Sequence, residues 1–381
     1  MTQARYRYRF YPNGEQRKAL ACTFGCTRYV YNWGLELRKK EHMSSARSSQ
    51  CLTALKKETE WLNDVSSVAL QQSLRDVQTA FVNFFEKRAD FPSFKKKSQR
   101  QSARFVQTSF ELKRGKLSLA RVPGLIKVRW SRELPSDPSS VTVERDPSGR
   151  YFASFVVAFE PVKLRARDKH VGIDMGITDI IATSEGFKSG NRRHFQRLEK
   201  RLARANRSLS RKQKGSTNWR KQRLRVARIH AMIADRRKDS LDWLSTKIVR
   251  KYDLIFVEDL AVKNMLLNRR LSKAISDAGW GMFVRMLEYK AEWYGGEVVK
   301  IDRWYPSSKT CSSCGHVVDK LPLNIRTWTC SKCMTVLDRD INAAKNILAV
   351  GTTVWRNRGC DIAQSPHASE EGSKTLASQA A

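Results

Sequence analysis

Two kinds of apolar periodicity alternate along the first part of the chain. Residues 5–10, RYRYRF, alternate arginine with aromatic side chains, a period of two that predicts a strand with one cationic and one apolar face. Apolar residues then recur at helical spacing over 15–41 and 65–87, and Asn13 is a candidate cap for the first of these helices. The pattern therefore predicts one strand followed by a helical unit.

Short β-branched and aromatic stretches, separated by Gly, Pro, Asp and Ser, follow the helical unit. Together with the first strand they would close a small β-barrel, and the helices would be an insertion in it. We therefore expect a barrel formed by residues 1–12 and 92–165 and a helical domain at 13–91. The predicted barrel strands are 105–110, 116–119, 125–130, 140–145 and 151–159.

The pattern changes beyond a polar boundary segment, residues 161–169. Four apolar stretches, VGIDMGI, DIIAT, DLIFVED and EVVKI, are typical of strands, and helical patterns lie between them. Strands that alternate with helices predict an α/β sheet. We assign residues 166–351 to this domain, whereas residues 352–381 are rich in Ser, Ala and Gly and are expected to form a disordered tail.

One predicted helix carries a high density of positive charge. Residues 192–228 contain 15 Lys or Arg and a single acid, Glu199. We interpret the segment as one amphipathic helix with a cationic exterior, because its apolar residues still mark one helical face. That face consists of Phe195, Leu198, Leu202, Ala205 and Leu209.

Composition extends this cationic character to the whole chain. The 381 residues carry 72 Lys and Arg against 37 Asp and Glu, a formal net charge of +35, and 41% of them are hydrophobic. The chain can therefore bury a core, and its charge favours a polyanionic partner such as nucleic acid. It has no apolar run of about 18 residues and no apolar signal core at its start, so we expect a cytoplasmic protein without a membrane partner.

Four of the eight cysteines form two C-x-x-C pairs, Cys311 with Cys314 and Cys330 with Cys333. Each pair presents two thiolates on one tight turn, and two such turns complete the tetrahedral shell that Zn²⁺ prefers. The alternatives are disulfides or a redox pair, which the lack of a secretion signal disfavours. Because four thiolates leave no coordination position open, we predict one structural zinc ion with His316 outside its shell.

Three acidic residues occur within or next to apolar patterns. Asp174 lies inside VGIDMGI, Glu258 lies near the end of DLIFVED, and Asp340 precedes the helical pattern INAAKNIL. A carboxylate amid apolar strand residues is costly unless it meets a cation, and Mg²⁺ prefers hard oxygen ligands. If the three converge, they would hold two magnesium ions about 4 Å apart, an arrangement that cleaves phosphodiesters.

Each acid alone has a simpler interpretation as a cap, a turn residue or a surface ion pair, and two neighbours compete for the same role. We favour Glu258 over Asp259 because it shares a strand face with apolar residues. We favour Asp340 over Asp338 because it directly precedes a helix that can pack on the sheet. The six histidines form no H-x-x-x-H pair, which argues against a histidine-based nuclease.

Several motifs, in this order and spacing, resemble the TnpB family of transposon-encoded proteins. They are GIDMGI, RRKDSLDWLSTKIVRKYDLIFVEDLAVKNM, SSKTCSSCGH with CSKC, and DRDINAAKNIL, all within residues 171–351. RYRYRFYPNGEQ and FPSFKKK are similar to the same family more loosely. One departure is Met334 after the second cysteine pair, where the family usually has Gly. If the backbone has a positive φ there, Met would be strained in a way that Gly is not.

The resemblance implies a RuvC-type nuclease of the RNase H-like fold, interrupted by a zinc ribbon at 304–337, and a wedge β-barrel that holds a helical recognition domain. It implies an RNA-guided, magnesium-dependent endonuclease for double-stranded DNA, related to compact type V CRISPR effectors. By motif matching, Asp174, Glu258 and Asp340 take the places of the catalytic carboxylates, and the four cysteines those of the zinc ligands.

The same resemblance implies the partners: a transposon-derived guide RNA, with one protein per RNA, and target double-stranded DNA. A bacterial protein of this kind would associate with the nucleoid when bound to DNA. Trp280, Trp304 and Tyr305 could stack on unpaired bases, although core packing is the more common role of a single Trp. The candidate phosphate contacts are Arg5, Arg7, Arg9, Lys95, Lys96, Lys97, Arg197, Arg201 and Arg204.

Three other functions are compatible with parts of the sequence. They are a catalytically silent RNA-guided regulator of transposition, a transposase that joins DNA strands with the same carboxylates, and a structural zinc-ribbon RNA-binding protein. The intact acids argue against the first function, and the third leaves those acids unexplained.

Overall fold

The computed structural model describes residues 2–40 and 45–363. The chain divides into two units. The first contains the chain up to Glu160 together with Ala205–Ile229, and the second contains Pro161–Arg204 and the chain from His230 onward. Among the described residues, no helix has the length and apolar character needed to span a bilayer.

Seven antiparallel strands form the sheet of the first unit. They are β1 (Thr2–Tyr11), β2 (Gln101–Val106), β3 (Phe110–Lys113), β4 (Lys116–Leu119), β5 (Val122–Arg129), β6 (Ser140–Arg145) and β7 (Tyr151–Phe159). Their order is β2-β6-β7-β1-β5-β4-β3. Because one short turn joins the two edge strands β2 and β3, the sheet is nearly closed into a barrel. The predicted place of the first strand in this barrel is confirmed.

Alternation along the strands fills the barrel with apolar side chains. On β1, Tyr8 and Phe10 are buried whereas Arg5 and Arg7 are exposed, as the sequence pattern predicts. The prediction of one strand over 105–110 is wrong, because the polar residues Gln107–Ser109 form a 3-10 turn that separates β2 from β3. The other residues of the barrel core include Phe105, Leu117, Ile126, Val141 and Phe155.

Three helices lie between β1 and β2 in the chain. They are α1 (Gly14–Lys40), α2 (Ser45–Glu58) and α3 (Ser67–Phe85), of which the apolar period predicts α1 and α3. Asn13 caps α1 as expected: Gln16 N donates to Asn13 Oδ1 at 2.9 Å, and Asn13 N donates to Gln16 Oε1 at 3.0 Å. The pattern does not predict α2, in which Leu52 and Leu55 are the buried apolar residues over the described positions 47–58.

A four-stranded sheet forms the centre of the second unit. Its strands are β8 (His170–Asp174), β9 (Ala182–Thr183), β10 (Leu254–Glu258) and β11 (Glu297–Ile301), in the order β11-β10-β8-β9. The pairs β8–β10 and β10–β11 are parallel, and β9 is antiparallel to β8. The predicted α/β sheet is confirmed, although only the last two residues of DIIAT are paired as a strand.

The helices after β9 require two corrections. They are α4 (His194–Ser210), α5 (Thr217–Val249), α6 (Val262–Met265), α7 (Ser272–Ala278), α8 (Trp280–Tyr294) and α9 (Arg339–Ala363). The basic segment 192–228 is therefore not one helix, since a turn around Gly215, at φ +89°, separates α4 from α5. Residues 352–363 are helical rather than disordered, because Val354 packs with the sheet in the same way as Ile347. The rest of the predicted tail lies outside the described residues.

Helix α9 lies directly on the strand that carries Asp174. A Cβ atom on Gly172 in β8 would lie 2.0 Å from the carbonyl oxygen of Ala344 and 2.6 Å from the backbone nitrogen of Leu348. A Cβ atom on Gly351 would lie 2.3 Å from the ring of Phe256 in β10. The two glycines thus allow the backbone of α9 to approach the sheet closely.

We expect Gly172→Ala to lower the free energy of unfolding by roughly 3 kcal/mol, since the added methyl group meets backbone atoms that cannot rotate away. Equilibrium unfolding in urea measures the change. Gly281→Ala in α8 is the matched control, because nothing lies within 4 Å of its Cβ position and alanine favours helix. A Gly172→Ala protein as stable as the wild type would contradict the close packing of α9 on β8.

Candidate active site and zinc cluster

Two of the three predicted carboxylates lie at the same end of adjacent parallel strands. Asp174 is the last residue of β8 and Glu258 the last of β10. Ile173 and Val257 are partners in the strand register, so the two acids follow that pair side by side. This edge, at the carboxyl ends of parallel strands, is where α/β sheets commonly bind ligands.

Beyond β11, the short strands β12 (Thr327–Thr329) and β13 (Val336–Asp338) form an antiparallel pair. The third carboxylate, Asp340, lies in the first turn of α9, directly after β13. Its neighbour Asp338 has a different role, because Asp338 Oδ1 accepts hydrogen bonds from the backbone nitrogens of Asp340 at 3.1 Å and Ile341 at 3.0 Å. Asp338 therefore caps α9. This role supports the choice of Asp340 over Asp338 as the site residue.

Electrostatic interactions link Asp174 to the other two acids. Burial, followed by the negative charges of Glu258 and Asp340, raises the pKa of Asp174 from 3.8 to about 7, although Arg339 and the backbone N–H of Met175 oppose this rise. Burial also raises the pKa of Glu258, against a hydrogen bond that the Ser307 hydroxyl donates to its carboxylate. A buried group of mutually repelling carboxylates is the donor set that a divalent cation stabilises.

Two cationic side chains that the sequence did not single out contact Asp340. Lys188 Nζ lies 3.6 Å from Asp340 Oδ2 and 2.8 Å from Asp338 Oδ2. Arg326 Nη1 donates to Asp340 Oδ1 at 3.1 Å, and its Nη2 donates to Thr178 Oγ1 at 3.3 Å. The three carboxylates therefore form a site with positive charge on one side.

The second competing acid, Asp259, points to a different partner. It forms an ion pair with Arg303 on the turn that follows β11. The charge of Glu258 is among the causes that raise the pKa of Asp174. These contacts support the choice of Glu258 as the site residue.

The cysteines form a tighter group than the carboxylates. Within residues 2–40 and 45–363, the four sulfurs of Cys311, Cys314, Cys330 and Cys333 are the one set of three or more potential metal ligands whose donor atoms all lie within 4.8 Å of one another. Cys311 Sγ lies 3.6 Å from Cys333 Sγ, and Cys314 Sγ lies 3.7 Å from Cys330 Sγ. All four thiols are free, so the disulfide alternative is not supported. His316 lies outside the group, as expected, with its Nε2 3.3 Å from Ser331 Oγ.

The shared sulfur environment separates the pKa values of the thiols. Hydrogen bonds from the hydroxyl and the backbone N–H of Thr335 lower the pKa of Cys333 to about 6. The pKa of Cys314 is raised to about 12, because burial and the three neighbouring sulfurs outweigh the backbone N–H of His316. The backbone N–H of Cys333 also lowers the pKa of Cys330. A bound zinc ion would favour the thiolate form of all four cysteines.

The two cysteine turns have the same backbone geometry. Gly315 has φ +74° and donates its N–H to Cys311 O at 2.9 Å, and Met334 has φ +57° and donates its N–H to Cys330 O at 2.9 Å. Each turn thus places a left-handed residue directly after its second cysteine. The strain expected at Met334 is present, since a side chain in this region costs roughly 1–2 kcal/mol.

We expect Met334→Gly to stabilise the protein by about 0.5–1 kcal/mol, because the relief of the left-handed strain exceeds the entropy that Gly adds to the unfolded chain. The Met334 side chain is largely exposed, so little packing is lost. Thermal unfolding of the zinc-loaded protein measures the gain. Gly315→Ala at the equivalent position of the first turn should destabilise the protein, and an unchanged or lower stability of Met334→Gly would contradict the strain.

Two buried asparagines of α9 fasten this zinc cluster to the helix that carries Asp340. Asn342 Oδ1 accepts a hydrogen bond from Ser312 N at 2.8 Å, and Asn342 Nδ2 donates to Thr310 O at 2.7 Å. Asn346 Nδ2 donates to Ser307 O at 2.8 Å and to Thr310 O at 2.6 Å. A polar pair at i and i+4 on the buried face of a helix is the signal in the sequence that indicates such a fastening.

The candidate nucleic-acid residues divide into structural and exposed groups. Arg7 stacks on Phe152 with its guanidinium 3.6 Å from the ring centre and pairs with the buried Glu144, so it stabilises the barrel. Lys95 lies 3.8 Å from the ring centre of Tyr31 and packs on the helical unit. Arg9 is partly buried over the ring of Phe152. The exposed candidates are Arg5, Lys96, Lys97, Arg197, Arg201 and Arg204.

The three aromatic candidates also differ. Trp280 is buried, and its Nε1 donates to Gly176 O at 3.1 Å, so the core interpretation is confirmed for it. Tyr305 is partly buried against the sheet. Trp304 is 84% exposed.

Family models match most of the chain in three segments. A model described as "Helix-turn-helix domain" matches residues 1–46, one described as "Probable transposase" matches residues 141–269, and one described as "Cas12f1-like, TNB domain" matches residues 280–347. The last match contains all four clustered cysteines and Asp340.

Curated relatives match over nearly the whole length. A protein of Streptomyces pristinaespiralis named "Putative RNA-guided DNA endonuclease" is 49% identical over 357 residues, which covers 91% of this chain and 89% of that protein. InsQ of Escherichia coli K12, which has the same description, is 32% identical over 376 residues, and the match covers 92% of each of the two proteins. "TnpB-like protein L79" of Acanthamoeba polyphaga mimivirus is 24% identical over 392 residues, 91% of this chain and 73% of the relative.

Solved structures share the fold at low sequence identity. The structure titled "Cryo-EM structure of the Cas12f1-sgRNA-target DNA complex" contains a chain that matches with a TM-score of 0.54 at 14% identity, covering 91% of this chain and 98% of that one. A mini-RNA-guided endonuclease, CRISPR-Cas_phi3, matches with a TM-score of 0.51 at 10% identity and 92% coverage of both chains. These structures show a shared fold, whereas the relatives of 49% and 32% identity and the family models show that the chain belongs to the TnpB family.

Proposed function

We propose that this protein is a transposon-encoded, RNA-guided endonuclease that cuts double-stranded DNA, with Asp174, Glu258 and Asp340 as its magnesium-binding catalytic carboxylates. The observation that carries the catalytic assignment is that Asp174 and Glu258 end adjacent parallel strands, with Asp340 near enough to raise the pKa of Asp174 together with burial and Glu258. The descriptions of the two most identical relatives above support the RNA-guided activity.

The second unit is proposed to be an RNase H-like, RuvC-type nuclease. Support comes from its mixed sheet, in which three parallel strands are flanked by the short antiparallel β9, and from the packing of α9 on β8. The zinc ribbon at 304–337 is inserted between β11 and α9, so the four cysteines would hold one structural zinc ion close in sequence to Asp340. The barrel of the first unit would be the wedge domain, and its helices the recognition domain.

The chemistry assigns a distinct role to each charged group. Two bound magnesium ions would supply an activated water and charge stabilisation for the leaving oxygen. Asp174 and Glu258 provide oxygen ligands from rigid strand ends, and Asp340 provides them from the first turn of α9. Lys188 and Arg326 place positive charge beside Asp340, where they can orient the scissile phosphate.

The guide RNA and the target DNA are the proposed partners, with one protein per RNA. The net charge of +35 and the exposed arginines of α4 support binding along a phosphate backbone. Pairing with the guide would read most of the target sequence, and the protein would read a short adjacent motif and the shape of the heteroduplex.

One assay tests this function. The protein is purified with its co-expressed RNA, the RNA is sequenced, and magnesium is added with a matching DNA target that has randomised flanks. We expect cuts in both strands for a subset of flanks and no cuts with Asp174→Asn. Binding without cleavage by the wild-type protein, or joining of strands, would contradict the proposal and favour a regulator or a transposase.

A further inference from the structure

Trp304 is the most exposed aromatic side chain in the part of the chain that the structure describes. Its side chain is 84% exposed on the turn that follows β11, whereas Trp280 in the same unit is buried. Large aromatic side chains are mostly buried, and Trp and Tyr are enriched where proteins contact partners.

The turn that carries Trp304 is held by several contacts. Trp304 N donates to Asp302 Oδ1 at 2.7 Å, and Tyr305 N donates to Asp302 O at 3.3 Å. Tyr305 packs against the apolar cluster between the sheet and α9. Ser307 N donates to Tyr305 O at 2.8 Å. The exposed indole is therefore presented by an ordered backbone.

The same turn is tied to the catalytic edge of the sheet on both sides of Trp304. On one side, Arg303 pairs with Asp259, the residue after Glu258. On the other side, the Ser307 hydroxyl donates to the Glu258 carboxylate. Because Trp304 and Ser307 are three residues apart, their Cα atoms lie within about 11 Å of each other, so the turn that carries the indole is anchored at Glu258.

We propose that Trp304 is a stacking platform for one unpaired base of the DNA strand that is being cut, next to the scissile phosphate. The proposal rests on the endonuclease function proposed above and adds a substrate-positioning residue to it. The flat face of an indole can stack on any base. Only an unpaired base has a face free for this contact, because bases within a duplex already stack on their neighbours. The expected consequence is a preference for a single-stranded substrate at the site.

Charge around the turn favours nucleic acid as the occupant. Lys300, Arg303 and Lys309 flank Trp304 in the sequence, and Arg326 lies on the neighbouring side of the carboxylate site. Lys300 and Arg303 form ion pairs with Glu288 and Asp259. The attraction for a phosphate backbone therefore comes from Lys309, whose Nζ donates to the carbonyl oxygen of Asp319, and from the net charge of +35.

A binding experiment tests the proposal without requiring cleavage. In the Asp174→Asn complex with its co-purified RNA, 2-aminopurine is moved base by base along the unpaired target strand near the cut site. We expect its fluorescence to be quenched at one position, with the quenching kept in Trp304→Phe and lost in Trp304→Leu. Trp243→Leu removes a second indole, 61% exposed on α5, and should leave the signal unchanged. A profile that is identical in Trp304→Leu, or lost equally in Trp243→Leu, would overturn the proposal.

A cleavage experiment tests whether Trp304 and the stacked base act through one contact, by removing each of them alone and both together. In the otherwise wild-type complex, Trp304→Leu should slow cleavage roughly 5- to 100-fold, the range expected for loss of one stacked base. An abasic site at the quenched position should slow the wild type equally and Trp304→Leu no further. Additive losses at every position would refute the contact. If the wild type cuts no substrate but the position-specific quenching persists, the endonuclease function fails while the stacking stands.

Discussion

Asp174→Asn should abolish DNA cleavage, with a loss of about three orders of magnitude or more in the single-turnover rate. The substitution keeps the size of the side chain and removes one negative oxygen ligand from a site whose chemistry depends on bound cations. Cleavage of a matched target by the RNA-bound protein measures the effect. Asp239→Asn, on the exposed surface of α5 in the same unit, removes a negative charge outside the carboxylate group and should cut at close to the wild-type rate.

The same substitution should stabilise the protein when magnesium is absent and zinc is retained. The pKa of Asp174 in the folded protein is about 7, above its ordinary value of 3.8, so the folded state holds the proton more tightly than the unfolded state. The stability linked to this proton is fully present below about pH 4 and is lost as the pH rises through 7. At pH 8 the charged carboxylate therefore costs up to about 4 kcal/mol, at about 1.4 kcal/mol for each pKa unit.

Unfolding curves of the wild type and of Asp174→Asn across pH 5 to 9 measure this linkage. We expect the stability advantage of Asp174→Asn to grow as the pH rises through about 7 and to shrink when magnesium is added to the wild type. A constant difference across the pH range would mean that Asp174 is not held close to Glu258 and Asp340.

Loss of the zinc ion should unfold the segment from Cys311 to Cys333 and reduce cleavage by at least about 100-fold. Zinc binding in small Cys₄ sites supplies much of the folding free energy of the segment. Arg339 N donates to Arg326 O at 2.8 Å, and Asn342 joins α9 to the first cysteine turn, so disorder in the ribbon would reach Asp340. Zinc content, thermal unfolding and cleavage of the protein with all four cysteines replaced by Ser measure the effect.

Cys51→Ser is the matched control for this replacement, because Cys51 lies in α2 of the other unit and outside the sulfur cluster. It should keep one zinc ion and the full cleavage rate. A four-fold Cys-to-Ser protein that stays folded and cuts normally would show that the ribbon does not support the active site.

The sequence was sufficient to predict the elements whose chemistry is local. The alternation in RYRYRF predicts β1, and the cap at Asn13 follows from the residues next to it. Asp174 and Glu258 could be selected because a carboxylate at the end of an apolar strand is an energetic exception. The cysteine spacing predicts the sulfur cluster because each pair fixes its own turn.

The features that the sequence did not predict depend on contacts between distant residues. Lys188 and Arg326 reach Asp340 from separate segments, and a single Lys or Arg in a chain with 72 of them carries no signal. The break between α4 and α5 was missed because the cationic pattern continues across the turn at Gly215. Residues 352–363 are helical because they pack on the sheet, which local composition does not indicate.

Asp174, Glu258 and Asp340 are proposed to hold two divalent ions jointly. Electron paramagnetic resonance of the RNA-bound protein, titrated with Mn²⁺ in place of Mg²⁺, detects such a pair. We expect two ions about 4 Å apart with exchange-coupled spectra, lost in Asp174→Asn and kept in Asp259→Asn. The same Mn²⁺ spectrum in the wild type and in Asp174→Asn would contradict it.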